Sequence, residues 1–171
     1  NSKQEEYLED IRASGRHLLD LLNDILDLSK VEAGKMQLEL ARTSLREALE
    51  HGVAMVSERA TRQGLSLHLA VADDVDVVLA DPLRLKQILI NLLSNAVKFT
   101  PAKGRIRIDV GVRQEAVVSI SISDTGLGMS LAEIETAMSP FGQVDAGFNK
   151  RHEGTGLGLP IVKKIIDEHG G

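Results

Sequence analysis

The sequence predicts an α+β fold, a two-layer α/β sandwich preceded by one long bundle-forming helix. Two patterns carry this prediction. Apolar residues recur at helical spacing in four segments: 4–31, 45–63, 82–99 and 157–168. Apolar and polar residues alternate, as in strands buried on one face, in five others: 36–40, 65–71, 75–80, 106–112 and 118–123. Strands accompanied by helices on one side are typical of such a sandwich.

Composition narrows the function classes. The chain has 171 residues and is 43% hydrophobic, enough for one or two small domains. Its net charge of −5 and its four aromatic residues argue against a nucleic-acid partner. The absence of cysteine excludes disulfides and Cys-ligated zinc. No apolar run has the length of a membrane span and no signal peptide is present. Because the sequence starts without Met and stops after a helix, we interpret it as a fragment that meets a membrane only through segments outside it.

The first helix carries an apolar seam of alternating three- and four-residue steps. Its members are Leu8, Ile11, Gly15, Leu18, Leu22 and Ile25. Such a seam requires a packing partner, because isolated helices are marginal in water. We expect it to pack against a preceding helix, a second copy of itself, or both. The alternative is a helix that lies on the following domain. Gly34 is the expected C-terminal cap, which divides the chain into residues 1–35 and 36–171.

The intervening elements are predicted from their caps. Ser44, with Glu47 three residues on, should begin a second helix that ends at Gly64. Ser130 should begin a short helix that ends near Met138. Residues 139–153 lack periodicity, and a loop of that length is typical of a lid or binding segment.

The helix over residues 82–99 has an unusual polar stripe. Asp81 is a good N-cap and Pro82 suits the first helical position. Polar residues then line up one turn apart: Arg84, Gln87, Asn91, Asn95 and Lys98. Asn is a poor interior helix residue, so the stripe needs an explanation. It is either a solvated polar face or a row of oxygen ligands and a cation facing a metal–phosphate group.

Asp124 follows Ile122 by two residues and should project from the same buried face of its strand. An unpaired buried carboxylate is costly, so Asp124 must accept hydrogen bonds. Gly126 and Gly128 follow in the sequence DTGLG and allow close approach of a ligand. An acid ringed by glycines suits an exocyclic amine such as that of adenine. The alternative is a strand-to-helix turn in which Asp124 bonds its own backbone.

A second glycine loop, GTGLGL at residues 154–159, opens the last helix. Backbone N–H groups at a helix N-terminus form a natural phosphate site. The glycine spacing fits neither the dinucleotide fingerprint nor a P-loop. Lys150 and Arg151 add cations nearby, either as phosphate contacts or as a solvated pair.

Taken in order, NLLSNAVKFT, DTGLGM, SPFGQ and GTGLGL resemble the N, G1, F and G2 boxes of two-component histidine kinases. These kinases share an ATPase superfamily (GHKL) and the Bergerat-type ATP-binding fold with DNA gyrase. The resemblance covers residues 36–171, without the usual strands after His169-Gly170-Gly171. The segment HLLDLLNDILDLSKVEAGKM also resembles the second helix of the dimerisation and histidine phosphotransfer hairpin.

The resemblance implies a site for ATP and Mg²⁺. Asn95 would ligate Mg²⁺ with Asn91 supporting it, and Lys98 would contact the phosphates. Asp124 would accept from the adenine amine, in a base pocket shaped by Gly126 and Gly128. The phosphate cradle implied by the resemblance comprises Gly154, Thr155, Gly156, Leu157 and Gly158. Phe141 would anchor the lid, or else be an ordinary core residue.

The resemblance also separates reaction types. In the members of the superfamily that are similar to gyrase, the first position of the Asn-containing motif is a glutamate that activates water. Here that residue is Asn91, which favours phosphoryl transfer over hydrolysis. None of the histidines fits the family's acceptor, which is followed by an acid: His17, His51, His68, His152 and His169. We therefore expect no catalytic histidine in this chain and an acceptor on an absent helix.

Two functional hypotheses follow. In the first, this cytoplasmic region of a homodimeric sensor kinase phosphorylates the absent histidine, and a response-regulator receiver domain takes the phosphoryl group. In the second, a degenerate kinase serves as an ATP-sensing interaction module.

Overall fold

The computed structural model describes residues 2–72, 75–113, 117–144 and 154–171. The helices are α1 (Ser2–Glu32), α2 (Leu45–Arg62), α3 (Pro82–Phe99), α4 (Leu131–Ala137) and α5 (Gly158–Glu168). The strands are β1 (Ala41–Ser44), β2 (Ser66–Val71), β3 (Val77–Ala80), β4 (Arg105–Val112) and β5 (Val118–Asp124). The predicted α+β class is confirmed. Between successive predicted strands the sequence also predicts turns at residues 73–74 and 114–115, and both lie outside the described residues.

The main sheet has the strand order β2-β4-β5, with β2 parallel and β5 antiparallel to β4. Alternation along β4 buries Ile106, Ile108 and Val110 on the inner face. On the outer face His68, Arg107 and Ser123 stand side by side and are exposed. One face of this sheet is therefore covered by helices and the other is solvated.

Helices α2 and α3 form the second layer over the inner face of the sheet. Leu45 and Leu49 of α2 and Leu89 and Leu93 of α3 are at most 1% exposed. A Cβ placed on Gly52 would lie 3.1 Å from a Leu93 methyl, so the two helices approach closely at this glycine. A second apolar cluster joins α5 to the other side of α3 through Ile88 and the buried residues of α5. Helix α3 therefore lies between the sheet layer and α5.

The strand predicted over residues 36–40 is wrong. Strand β1 comes directly after it and pairs antiparallel with β3, in the register Ala41 with Ala80. The N–H of Glu39 instead donates to Asp81 Oδ2 at 3.0 Å. The alternation of this segment reflects partial burial of Met36 and Leu38, not strand pairing. Pairing begins only where β3 supplies a neighbouring backbone.

Asp81 caps α3 as predicted. Its Oδ1 accepts from the N–H groups of Leu83 and Arg84, at 2.9 and 3.1 Å. Burial raises the pKa of Asp81, but the backbone hydrogen bonds and the charge of Arg84 outweigh it and hold the pKa below its ordinary value. The N–H of Asp81 donates to Nε2 of His169 at 3.1 Å, which ties the end of α5 to the start of α3. His169 thus has a structural role.

Helix α1 lies on the following domain, the second arrangement weighed for it, only over its last turns. Most of its seam is exposed, with Leu8, Ile11 and Leu18 at 58–68%. Near its C-terminal end Leu28 is only 8% exposed and packs in the α5 cluster. The predicted cap Gly34 follows with a φ of +62°. The helix therefore docks on the domain through its last turns and leaves the rest of its apolar side uncovered. No helix among the described residues has the length and apolarity to cross a membrane.

Candidate functional site

A cavity of about 490 Å³ lies between α3, the end of β5, the segment after α4, and the loop before α5. Its size is that of a small-molecule site. Residues from all the motifs singled out in the sequence line it, including Asn91, Asn95, Lys98, Asp124 and Gly128. The fold therefore brings together motifs that are separated by up to about 60 residues along the chain.

The polar stripe of α3 divides into two parts with different contacts. Arg84 and Gln87 do not reach the cavity. Arg84 Nη1 and Gln87 Nε2 donate to Asp27 Oδ2 of α1, at 2.7 and 2.9 Å. The remaining members, which line the cavity, are Asn91, Asn95 and Lys98. The stripe is therefore a helix-docking site at one end and a cavity wall at the other.

Asn91 has a buried amide group. Its Nδ2 has no hydrogen-bond partner within the described part of the chain. An orphaned buried polar group costs about 1–3 kcal/mol, which a ligand in the cavity can recover. The amide oxygen and nitrogen exchange places by rotation, so the same site can present an oxygen. Because Asn95 lies one turn further along the same wall, two amide oxygens can face one bound group.

Lys98 meets the glycine loop. A Cβ on Gly154 would lie only 2.9 Å from Lys98 Nζ, so the ammonium group fits against this loop because residue 154 has no side chain. Burial, and then the charge of Arg59, lower the pKa of Lys98. An anionic ligand would oppose both effects by stabilising the charged form. The position suits a phosphate contact.

Asp124 lies at the end of β5 and lines the cavity beside Ile122, but it is exposed rather than buried. The expectation of a buried carboxylate is therefore wrong: the open cavity, not the core, lies on that face. Its Oδ1 accepts from Gly126 N–H at 2.8 Å, which is the local turn considered as the alternative. Among the described residues, Oδ2 of the same carboxylate receives no hydrogen bond. One oxygen thus fixes the turn while the other can accept from a ligand.

The glycines after Asp124 differ in position. Gly128, with a φ of +68°, lines the cavity. Gly126 lies beneath the turn, where a Cβ would come within 2.8 Å of the Phe99 carbonyl oxygen. Gly126 therefore supports the turn by close packing and does not form part of the cavity wall.

The second glycine loop also contains both residues that line the cavity and a residue that is buried in the core. Gly154, Thr155, Gly156 and Gly158 line the cavity. Leu157, expected in the phosphate cradle, is 0% exposed and packs with the α5 cluster. Its N–H donates to the Thr155 hydroxyl at 3.0 Å. The side chain of Leu157 anchors the loop to the core beside α3, because burial of an apolar side chain is favourable.

The loop predicted over residues 139–153 is described only as far as residue 144. Phe141 is 60% exposed, which excludes the core alternative, and its φ is +61°. Lys150 and Arg151 lie outside the described residues, so their role stays a prediction.

Two contacts at the cavity carry no local signal in the sequence. Thr155 Oγ1 donates to Asp24 Oδ2 of α1 at 3.4 Å, and Asp24 lines the cavity. Gln143 Nε2 donates to the Gly154 carbonyl at 2.7 Å. These pairs depend on how α1 and the segment after α4 fold back, which the motifs do not specify.

The family described as histidine kinase-, DNA gyrase B-, and HSP90-like ATPase matches residues 80–171, just over half of the chain. The chain belongs to this ATPase family. Residues 1–34 match the His Kinase A (phospho-acceptor) domain. The two matches together identify the chain as a histidine kinase catalytic region with part of a phospho-acceptor domain.

Curated relatives agree with this assignment. The chain is 42% identical over 168 residues to the non-motile and phage-resistance protein of Caulobacter vibrioides. This match covers 96% of the chain and 20% of that protein. The chain is 36% identical over 175 residues to the cell-division control histidine kinase PdhS of Brucella suis, covering 98% and 17%. The chain thus spans about a fifth of the length of these relatives.

Solved structures show the same fold for the ATPase-family chain. Full-length ShkA in complex with AMPPNP has a TM-score of 0.83 and 33% identity, and the match covers 99% of this chain and 35% of that one. Histidine kinase ThkA in complex with the response regulator protein TrrA has a TM-score of 0.70 and 25% identity, covering 98% and 45%.

Proposed function

We propose that this region binds Mg·ATP and transfers the γ-phosphoryl group to a histidine outside this chain, from which a response-regulator aspartate takes it. The observation that carries the proposal is the cavity itself. Its wall presents the Asp124 carboxylate together with Gly128, and also the Lys98 ammonium group, which lies against the glycine loop. An acceptor for an amine, combined in one cavity with a cation and the backbone N–H groups of a glycine loop, matches adenine and triphosphate. The AMPPNP complex of ShkA supports this assignment by similarity.

The amides of Asn95 and Asn91 fit a magnesium ion. Magnesium takes oxygen ligands, keeps several waters and usually binds through one or two protein groups plus substrate phosphates. The described residues contain no group of three or more His, Cys, Asp or Glu that could hold a metal alone. Oxygens from the two amides and from ATP phosphates would therefore complete the site together. Bound there, the ion would neutralise phosphate charge.

The residues of this chain act by positioning and charge. Lys98 and the N–H groups of the glycine loop hold the phosphates, while Asp124 fixes the base and thereby the direction of the triphosphate. Asn91 carries an amide, which does not accept a proton at neutral pH. This arrangement favours phosphoryl transfer to a positioned side chain over activation of water.

We infer two partners for the full protein. The exposed seam of α1 has the spacing of a helical bundle, and the match to a phospho-acceptor domain supports dimerisation through it. The complex of ThkA with TrrA supports a response-regulator partner.

Phosphoryl transfer in trans tests the proposal. The chain is mixed with γ-labelled ATP, Mg²⁺ and a separately produced dimerisation hairpin from the parent protein. A hairpin whose acceptor histidine is replaced by glutamine is the matched control. Label on the wild-type hairpin alone, labile in acid and stable in alkali, is the expected result. ATP binding without transfer would contradict the kinase function and favour the ATP-sensing module.

A further inference from the structure

The segment after α4 folds into a tight turn that lies against the glycine loop. Ser139 N–H donates to the Thr136 carbonyl at 3.0 Å and Gly142 N–H to the Ser139 carbonyl at 2.9 Å. A Cβ on Gly142 would overlap the Thr136 carbonyl, so only glycine fits there. Phe141 adopts a left-handed φ of +61°, which is unfavourable for a residue with a side chain. The surrounding contacts must therefore hold this turn in shape.

Two contacts join the turn to the loop. A Cβ on Gly156 would lie 2.7 Å from the Phe141 carbonyl carbon and 2.9 Å from the Gly142 oxygen, so the two backbones touch. The side-chain amide of Gln143 then donates to the Gly154 carbonyl at 2.7 Å, a short and favourable distance. Thus one contact is steric and lies at Gly156, while the other is a hydrogen bond at the first glycine of the loop.

We propose that Gln143 is a positioning residue for the phosphate-binding loop. Gly154 C=O and Thr155 N–H belong to one planar trans peptide, so fixing the carbonyl also fixes the direction of that N–H. Gly154 has access to many backbone conformations, because glycine is unusually permissive. The Gln143 amide selects one of them before ligand binds, which reduces the ordering cost of binding a polyphosphate. This hydrogen bond does not involve Asp124 or the turn that follows β5.

This role rests on the proposed function, and it predicts selectivity between ligands. Gln143→Met keeps the side-chain size but removes the donor. It should weaken binding of AMPPNP about five- to tenfold, as expected for the loss of one hydrogen bond. Binding of adenosine, which lacks phosphates, should change less than about twofold, because the base site is untouched.

Isothermal titration calorimetry with AMPPNP and with adenosine tests this role. The proteins compared are the wild type, Gln143→Met, Gln143→Ala and the control Gln37→Ala. Gln37 is exposed between α1 and β1 and lies outside the cavity lining. The expected result is a selective loss of AMPPNP affinity in both Gln143 variants and none in the control. Equal losses for both ligands, or no loss of AMPPNP affinity, would overturn the positioning role while leaving nucleotide binding intact. A wild-type chain that binds neither ligand would overturn the proposed function and this role with it.

Discussion

Arg84 of α3 and Asp27 of α1 form an ion pair with an N–O distance of 2.7 Å, in which each side chain is only 15% exposed. Gln87 donates to the same carboxylate oxygen, so Asp27 accepts two hydrogen bonds. Leu28, the next residue, is buried in the α5 cluster. The Asp27–Arg84 ion pair and the buried Leu28 together fix the end of α1 on α3, the helix that also carries the cavity residues.

The first prediction concerns the docking of α1. Asp27→Ala leaves a shielded guanidinium group without its carboxylate, which should cost about 1–2 kcal/mol of docking free energy. Amide hydrogen exchange of residues 24–30 should then accelerate about tenfold, because local opening becomes easier. The control is Asp109→Ala, which breaks the exposed pair with Arg107 on the outer sheet face and should leave α1 unchanged. Equal exchange in the two variants would contradict a specific role of the Asp27–Arg84 pair.

The second prediction concerns pH. Burial raises the pKa of Asp27, but hydrogen bonds from Arg84 and Gln87 and the charge of Arg84 outweigh it, so the pKa lies below its ordinary value. Stability from such a carboxylate is complete above the unfolded pKa of about 3.9 and is lost as pH falls through the folded pKa. The free energy of unfolding of wild type minus that of Asp27→Asn should be constant from about pH 5 to 8 and shrink below about pH 4. Urea unfolding at a series of pH values measures it. A difference that disappears near neutrality would point to a histidine instead.

The third prediction concerns the base site. Asp124→Asn keeps an oxygen for the Gly126 N–H but can turn a donor towards the adenine amine. Loss of a hydrogen bond to a charged acceptor should weaken AMPPNP binding about 10- to 100-fold. Asp109→Asn is the matched control, since Asp109 also lies in the sheet but on its outer face. Calorimetric titration gives both affinities, and near wild-type binding by Asp124→Asn would remove Asp124 from the base site.

The fourth prediction concerns the metal. If Asn95 supplies an oxygen to Mg²⁺, Asn95→Ala should weaken AMPPNP binding in Mg²⁺ about tenfold more than in EDTA, by loss of one metal ligand. Lys86→Ala, an exposed change on the same helix, controls for effects on α3. An Asn95→Ala loss of the same size with and without Mg²⁺ would show that Asn95 contacts the nucleotide or the fold instead of the metal.

Much of the fold follows from local signals. The caps at Asp81 and Ser130 and the left-handed Gly34 were all predictable, because capping depends on residues within one turn. The alternation over residues 106–112 and 118–123 likewise predicted strands, which form β4 and β5 and pair antiparallel. The segment 36–40 failed because alternation reports which side chains are buried and not which backbone lies alongside.

The candidate site was predictable where a motif is continuous in sequence, as around Asn91 and Gly154. It was not predictable where partners are distant: Asp24 lies 131 residues from Thr155 and Asp27 lies 57 residues from Arg84. Leu157 shows a further limit, since the side chain of an apolar residue inside a glycine motif packs in the core. The exposed Asp124 shows that a strand face can continue from the core into an open cavity.

The most direct test of the central claim is a crystal structure of the chain with a non-hydrolysable ATP analogue and Mg²⁺. The account predicts the adenine amine at Asp124, the phosphates between Lys98 and residues 154–158, and Mg²⁺ on the Asn95 oxygen. A nucleotide bound elsewhere, or bound with its phosphates at Asp124 and its base at the glycine loop, would contradict it.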